Sequence, residues 1–153
     1  MLAGGIACQE NANSPAAPAG DDAASSADSR PRVALVMKSL ANEFFQTMED
    51  GARAHQTQDP ARYELFAEGI KNELDVSRQI DLVEQMVARG AQALVLAPAD
   101  SRALVAAAAH AVEAGLTVVN IDNRLDEEAL RERGLSIPFV GPDNRRGTKQ
   151  AAD

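Results

Sequence analysis

Short aliphatic runs alternate with longer stretches of helical character along most of this chain, and this alternation restricts its possible folds more than any other feature. The runs read VALVM, YELFA, ALVLA and TVVNI, at residues 33–37, 63–67, 93–97 and 117–121. Apolar runs of this length are typical of strands that are buried on both faces. A shorter run at 138–141 predicts a fifth strand.

The stretches between these runs carry start and stop signals for helices. The predicted helices begin at polar capping residues, namely Asn42, Asp75, either Asp100 or Ser101, and Asn144. The first covers about residues 43–56, and the last continues to the end of the chain. Glycines are placed to end two of the others, namely Gly90 and Gly115.

Strands that alternate with helices of this length imply right-handed crossovers. We therefore predict an α/β fold for residues 32–153, with a parallel sheet and helices on both of its faces. In open sheets of this kind, ligands bind beyond the carboxyl ends of the strands. The loops in which to look for a site are 38–45, 69–74, 97–101 and 122–124.

The first part of the chain has a different character. Residues 1–8 read MLAGGIAC and resemble part of a bacterial lipoprotein signal, in which small residues precede the cysteine that becomes acylated. Residues 9–31 contain no Val, Ile, Leu, Met or aromatic residue, which predicts a disordered linker. No apolar run reaches the roughly 18 residues of a membrane helix. The resemblance to a lipoprotein signal implies the periplasm or cell envelope, with membrane contact only through a lipid on Cys8; the alternative is that this cysteine is incidental.

Several function classes lack the residues that they need. The formal charge of −8 disfavours nucleic acid as a partner, and the single cysteine rules out an intramolecular disulfide or a zinc–cysteine cluster. The loop KSLANEFF after the first strand has no glycine for a nucleotide phosphate, and no G-x-S-x-G motif is present. His55 and His110 fall on predicted helices, away from the strand ends. We expect neither an enzyme nor a cofactor or metal.

The remaining loop residues suit a neutral, polyhydroxylated ligand. Carboxylates and amides bind sugar hydroxyls, and aromatic rings lie against C–H faces. Asn42, Phe44, Phe45 and Asp122 supply these groups. Each has a structural alternative: Asn42 caps a helix, Asp122 forms a turn at a strand end, and Phe45 fits the buried helix stripe better than Phe44.

Four segments, in order and at matching spacing, resemble the periplasmic sugar-binding proteins of ribose-type ABC importers. They are VALVMKSLANEFFQTMEDGARA, YELFAEGIKNELDVSRQIDLVEQMVARGAQALVLAPADS, AGLTVVNIDNR and PFVGPDNRRG. The resemblance covers residues 31–153. It implies that Asn42 and Asp122 bind ligand hydroxyls, that Phe44 and Phe45 stack on the sugar ring, and that the pair at 143–144 starts a helix near a hinge.

Some positions depart from the pattern of that family. Lys38 stands where ribose binders have a small polar residue, and Ala97 replaces a ligand-binding asparagine. Asn123 occupies the usual arginine position, with Arg124 one place later. We expect Lys38, Asn123 and Arg124 to contact the ligand and to change which hydroxyls are recognised. The ligand is therefore left open between ribose, another pentose, a hexose and a polyol.

The resemblance also implies a second lobe, a cleft that closes over the sugar, and partners in an ABC permease and its ATPase. We expect this chain to end before the second lobe. The effector domain of a lactose-repressor-like regulator has the same fold, but residues 9–31 lack the apolar residues of a DNA-binding helix pair. A chemotaxis sugar sensor is a further alternative that the sequence does not separate from transport.

Overall fold

A computed structural model describes Met1 and residues 30–141. Cys8, most of the predicted linker and the helix predicted from Asn144 lie outside the described residues. The elements are, in chain order, β1 (Arg32–Met37), α1 (Glu43–Gln58), β2 (Glu64–Gly69), α2 (Val76–Ala88), β3 (Ala93–Leu96), α3 (Leu104–Glu113), β4 (Thr117–Ile121), α4 (Glu127–Glu132) and β5 (Phe139–Val140).

The five strands form one parallel sheet in the order β2-β1-β3-β4-β5. Each strand of the sheet was expected from the aliphatic runs, and the α/β class is confirmed. The chain passes from β1 to β2 on one side and then crosses to β3 on the other. Strand order therefore reverses at β1, and the loops that follow β1 and β3 border the position where such sheets bind ligands.

Alternate residues of each strand face opposite sides of the sheet, and helices cover both sides. On one side Leu35 and Met37 pack with Phe45 of α1 in a small core. On the other side Val36 and Leu96 belong to a larger core formed with α2, α3 and α4. This distribution confirms the prediction of helices on both faces.

Most of the predicted helix ends are confirmed in detail. The side chain of Asn42 accepts a hydrogen bond from the Phe44 backbone N–H at 2.9 Å, and Asp75 caps α2 in the same way. Gly90 and Gly115 have positive φ values of 72° and 91°, the conformation that ends a helix with least strain at glycine.

Asp100 organises the turn before α3. Its carboxylate accepts hydrogen bonds from the backbone N–H groups of Arg102 and Ala103, at 2.9 and 2.7 Å. The bonds from Ala103 and Arg102 stabilise the ionised form and hold the pKa of Asp100 below its usual range. The prediction that Asp100 or Ser101 caps α3 is wrong in position: α3 begins at Leu104, its N-cap is Ala103 without a side-chain capping bond, and Asp100 caps the turn that precedes the helix.

The short helix α4 was not predicted. Its six residues are too few to show a helical repeat, although Asp126 accepts a hydrogen bond from Ala129 N–H at 2.8 Å as a helix cap. Glu127 and Glu128 are exposed to solvent. Leu130 lies on the inner side of α4 and closes the end of the larger core.

Candidate functional site

Three loops meet at the carboxyl edge of the sheet. Lys38 follows β1, Ala97 follows β3 and Asp122 follows β4. Because β3 lies between the other two strands, the ends of β1 and β4 are about 10 Å apart. Ala97 is fully buried and has only a methyl group as its side chain. The long side chain of Lys38 can therefore cross above the end of β3 to reach Asp122.

Lys38 and Asp122 form an ion pair at this edge. Lys38 Nζ lies 3.1 Å from Asp122 Oδ2, and the two side chains are only 12% and 22% exposed. The same Nζ is 5.1 Å from the ring centroid of Phe45, which is within the range of a cation–π contact. The lysine thus joins a carboxylate on β4 to an aromatic ring on α1.

The Asp122 carboxylate retains hydrogen-bonding capacity. Although the Lys38–Asp122 distance would allow a hydrogen bond, its angles do not, so the attraction is that of two opposite charges. Among the described residues, Asp122 Oδ2 has no hydrogen-bond partner although it is buried. Buried polar atoms are almost always satisfied, because leaving one unpaired costs about 1–3 kcal/mol. At Asp122 Oδ2 the Lys38 ammonium offsets part of this cost, and the oxygen keeps the capacity to accept a hydrogen bond.

The backbone of Asp122 is also unusual. Its φ is 61°, and no other non-glycine residue in the described part of the chain has a positive φ. Aspartate tolerates this left-handed conformation better than most residues, but glycine adopts it with less strain. Strained residues of this kind cluster at ligand sites.

The two phenylalanines at the start of α1 have different surroundings. Phe45 is 4% exposed and belongs to the core beneath the sheet edge, as predicted, whereas Phe44 is 59% exposed. Their ring centroids are 5.1 Å apart at an interplanar angle of 84°. They meet edge to face, so Phe44 offers the open aromatic surface. Asn42 is exposed beside them, and its capping bond uses only the side-chain oxygen.

Asn123 and Arg124 extend from this cluster in another direction. Asn123 donates a weak hydrogen bond of 3.4 Å to the Pro98 carbonyl. The guanidinium of Arg124 lies 4.0 Å from the ring centroid of Phe139, and the side chain is 63% exposed. Contacts therefore connect five of the seven predicted ligand-binding residues directly, namely Asn42, Phe44, Phe45, Lys38 and Asp122. Asn123 borders this group at the loop after β3, and Arg124 borders it on the β5 side.

Two buried amides that sequence reasoning missed hold the loops of the site. Gln79 of α2 donates to the Ala97 carbonyl and accepts from Ala99 N–H, both at 2.8 Å. Asn120 of β4 bonds in a similar way to the loop that contains Asp122. In the sequence, each of them stands out as a polar residue inside an apolar pattern. Asn120 is the fourth residue of TVVNI, and Gln79 lies in the buried stripe of α2.

The two histidines of the described residues lie elsewhere. His55 Nδ1 is 2.8 Å from the Tyr63 hydroxyl, and His110 Nδ1 is 2.7 Å from Glu84 Oε2, both on helix surfaces. Within the described ranges, no group of three or more metal-ligating side chains comes together. None of the helices in those ranges has the length and apolar character needed to span a bilayer.

An open depression of about 260 Å³ lies beside α4. Its lining comprises Glu127, Leu130, Arg131, Leu135, Ser136 and Ile137. Its lining includes none of the predicted ligand-binding residues. We therefore place the candidate site at the strand ends, where the unpaired carboxylate oxygen lies.

Comparison with known proteins agrees with this fold. The family model described as "periplasmic binding protein domain" matches residues 33–153. The D-ribose/D-allose-binding protein of Pseudomonas aeruginosa is 58% identical over 120 residues, which are 78% of this chain and 38% of that protein.

Two solved structures are also similar to the chain. A solute-binding protein of an ABC transporter from Burkholderia multivorans superposes with a TM-score of 0.77 and 55% identity, over 79% of this chain and 43% of that one. A periplasmic solute-binding protein from Actinobacillus succinogenes with bound D-allose has a TM-score of 0.70 and 35% identity, over 75% and 40%. The chain thus spans about two fifths of the length of these relatives.

The proximity of Lys38 and Asp122 predicts measurable coupling between them. In a double-mutant cycle with Lys38→Met and Asp122→Asn, we expect a coupling of about 1 kcal/mol in the free energy of urea unfolding at low salt, decreasing in 1 M NaCl. Arg124→Met and Glu127→Gln provide the control, because that pair is 4.0 Å apart and mostly exposed, and coupling near zero is expected. Equal coupling in the two pairs would contradict the described geometry.

Proposed function

The chain belongs to the periplasmic binding protein family, and from that premise we propose that it forms one wall of a binding site for a neutral monosaccharide or polyol. The protein would act as the solute-binding component of an ABC importer. Its role would be to bind and release a ligand without chemical change, in keeping with relatives that are named as binding proteins.

The Oδ2 atom of Asp122 carries this proposal, because it is buried and has no hydrogen-bond partner among the described residues. A carboxylate oxygen that is buried at the ligand-binding edge of a parallel sheet is ready to accept a hydroxyl hydrogen bond. Hydrogen bonds to charged groups contribute about 1.5–3 kcal/mol each. Asn42 and the open ring of Phe44 add an amide and an apolar surface nearby, which together match the alternating O–H and C–H faces of a sugar.

The ligand is proposed to be neutral because Lys38 already balances the charge of Asp122. An anionic ligand would meet the carboxylate, and a cationic one would meet the ammonium group. Hydroxyl groups can instead donate to Asp122 and accept from Lys38 at the same time. The ion pair is thus suited to a ligand that carries both donors and acceptors but no net charge.

An aldose is the class of ligand that we favour. The Pseudomonas relative is named for D-ribose and D-allose, and the Actinobacillus structure contains D-allose. We propose that Lys38, Asn123 and Arg124 select among such sugars, since they differ from the ribose-type pattern. Phe45, which is buried, would support Lys38 from below and leave the stacking contact to Phe44.

Import also requires parts that the described residues do not contain. We propose that a second lobe closes the cleft over the sugar, and that a permease with its ATPase recognises the closed form. The relatives are about two and a half times longer than the matched region, which leaves room for such a lobe. The described lobe would then supply about half of the contacts.

We further propose a place in the cell envelope, with Cys8 as a lipid attachment point and residues 9–31 as a spacer. The apolar-free composition of that spacer supports a tether between a membrane and the folded lobe. Mass spectrometry of the protein from cell membranes is expected to find Cys8 acylated. An unmodified thiol in protein from the soluble fraction would contradict the anchor.

The proposal predicts weak but localised sugar binding by the 153-residue chain. A complete site with micromolar affinity corresponds to a binding free energy of about −8 kcal/mol. One wall that supplies half of this free energy would bind with a dissociation constant of about 1 mM. We expect a titration with D-allose, followed by NMR, to shift the amide signals of Asn42, Phe44 and Asp122 first. Asp122→Ala is expected to abolish these shifts.

Two results would contradict the proposal. One is a titration in which the largest shifts fall on the depression beside α4, with the Asp122 region unchanged. The other is micromolar binding by the single lobe in calorimetry, which would mean that the described residues form a complete site of another kind. Mannitol and D-ribose, titrated in the same way, would compare a polyol and a pentose with the hexose.

A further inference from the structure

Asn120 is the most deeply buried polar residue near Asp122. It lies in β4 within the sequence TVVNI, where its neighbours are aliphatic, and it is 3% exposed. A buried amide is tolerated only when its donors and acceptor are paired. Its partners therefore show which part of the fold this residue stabilises.

The amide of Asn120 bonds to both sides of the loop that carries Asp122. Its Nδ2 group donates to the carbonyls of Asn123, Ile121 and Leu96, at 2.7, 3.2 and 3.3 Å. Its Oδ1 accepts from Leu125 N–H at 2.9 Å. The bond to Leu96 ties the loop to the neighbouring strand β3, and the others hold the loop itself.

The positions of these partners explain the conformation of Asp122. The carbonyl of Ile121 directly precedes the Asp122 backbone, the carbonyl of Asn123 follows one residue later, and both approach the same nitrogen of Asn120. Two carbonyls this close in the chain can converge on one nitrogen only if the two residues between them form a tight turn. Asp122, with its φ of 61°, lies in that turn.

We propose that Asn120 is the positioning residue of the site and that it holds Asp122 in the left-handed conformation. That conformation is unfavourable for any residue with a Cβ, so a specific set of bonds must compensate for it. With the backbone fixed, the Asp122 carboxylate lies at Lys38, with Oδ2 buried, ion-paired and without a hydrogen-bond partner among the described residues. The ligand-binding consequence of this position rests on the proposed function, whereas the backbone constraint does not.

Gln79 offers a matched control within the same edge of the sheet. It is also a fully buried amide, and it bonds to the loop after β3 through Ala97 and Ala99. None of its hydrogen bonds reaches residues 121–125. Replacing Gln79 is therefore expected to destabilise the lobe through lost hydrogen bonds without releasing Asp122.

The test uses the preference between glycine and alanine at position 122 as a reporter of φ. Neither Asp122→Gly nor Asp122→Ala keeps the carboxylate, so their difference reports the backbone alone. At positive φ, the glycine variant is expected to have an unfolding equilibrium constant about five-fold smaller than the alanine variant. At negative φ the order reverses, because glycine then loses more entropy on folding.

Both substitutions are made in the 153-residue chain, in the Asn120→Leu background and in the Gln79→Leu background, and unfolding is followed in urea. In the parent chain and in the Gln79→Leu background, we expect Asp122→Gly to have the about five-fold smaller unfolding equilibrium constant, which we call the glycine advantage. With Asn120→Leu we expect it to vanish or reverse. Since no sugar is present, the outcome stands apart from any result of the sugar titration.

A glycine advantage that persists unchanged with Asn120→Leu would overturn the proposal, and so would its absence from the parent chain. Asn120→Asp is the second variant, because it keeps the size and the acceptor for Leu125 N–H but removes the donors to the carbonyls. In that variant, NMR is expected to show loss of the strong intraresidue amide–Hα NOE that a positive φ gives at Asp122. Retention of that NOE would equally overturn the proposal.

Discussion

The attraction between Lys38 and Asp122 across the end of β3 is the interaction on which the candidate site depends. It joins two loops whose strands are not neighbours in the sheet, across the end of β3, where Ala97 has only a methyl side chain. A lysine held in this way lies over Phe45 and connects α1 to β4. The fold thereby brings a charged pair and an aromatic surface to the edge at which parallel sheets bind ligands.

Buried amides on both sides of that edge make the arrangement rigid. Gln79 fixes the loop after β3 from below, and Asn120 fixes the loop after β4 from within its own strand. These bonds are formed in the protein interior, where each is strong and where an unpaired amide would be costly. The aliphatic core therefore supports the loops, while a few polar side chains determine where the binding groups point.

The sequence was sufficient to predict the α/β class, the five strands, the caps at Asn42 and Asp75, and the burial of Phe45 in preference to Phe44. These features follow from local periodicity and short-range hydrogen bonds. The Lys38–Asp122 pair and the left-handed backbone of Asp122 depend on contacts between distant segments, which periodicity does not encode. The helix α4 was missed because six residues are too few to establish a repeat.

Binding of sugar hydroxyls by Asp122 is the central claim, and affinity in a two-lobed protein tests it most directly. The chain can be joined to the part of the Burkholderia multivorans relative that lies beyond the matched region, and sugar binding measured by calorimetry with Asp122→Ala and with the exposed Glu132→Ala as control. We predict at least a ten-fold loss of affinity for Asp122→Ala, the equivalent of about 1.4 kcal/mol, and no change for the control. An affinity that Asp122→Ala leaves unchanged would contradict the account.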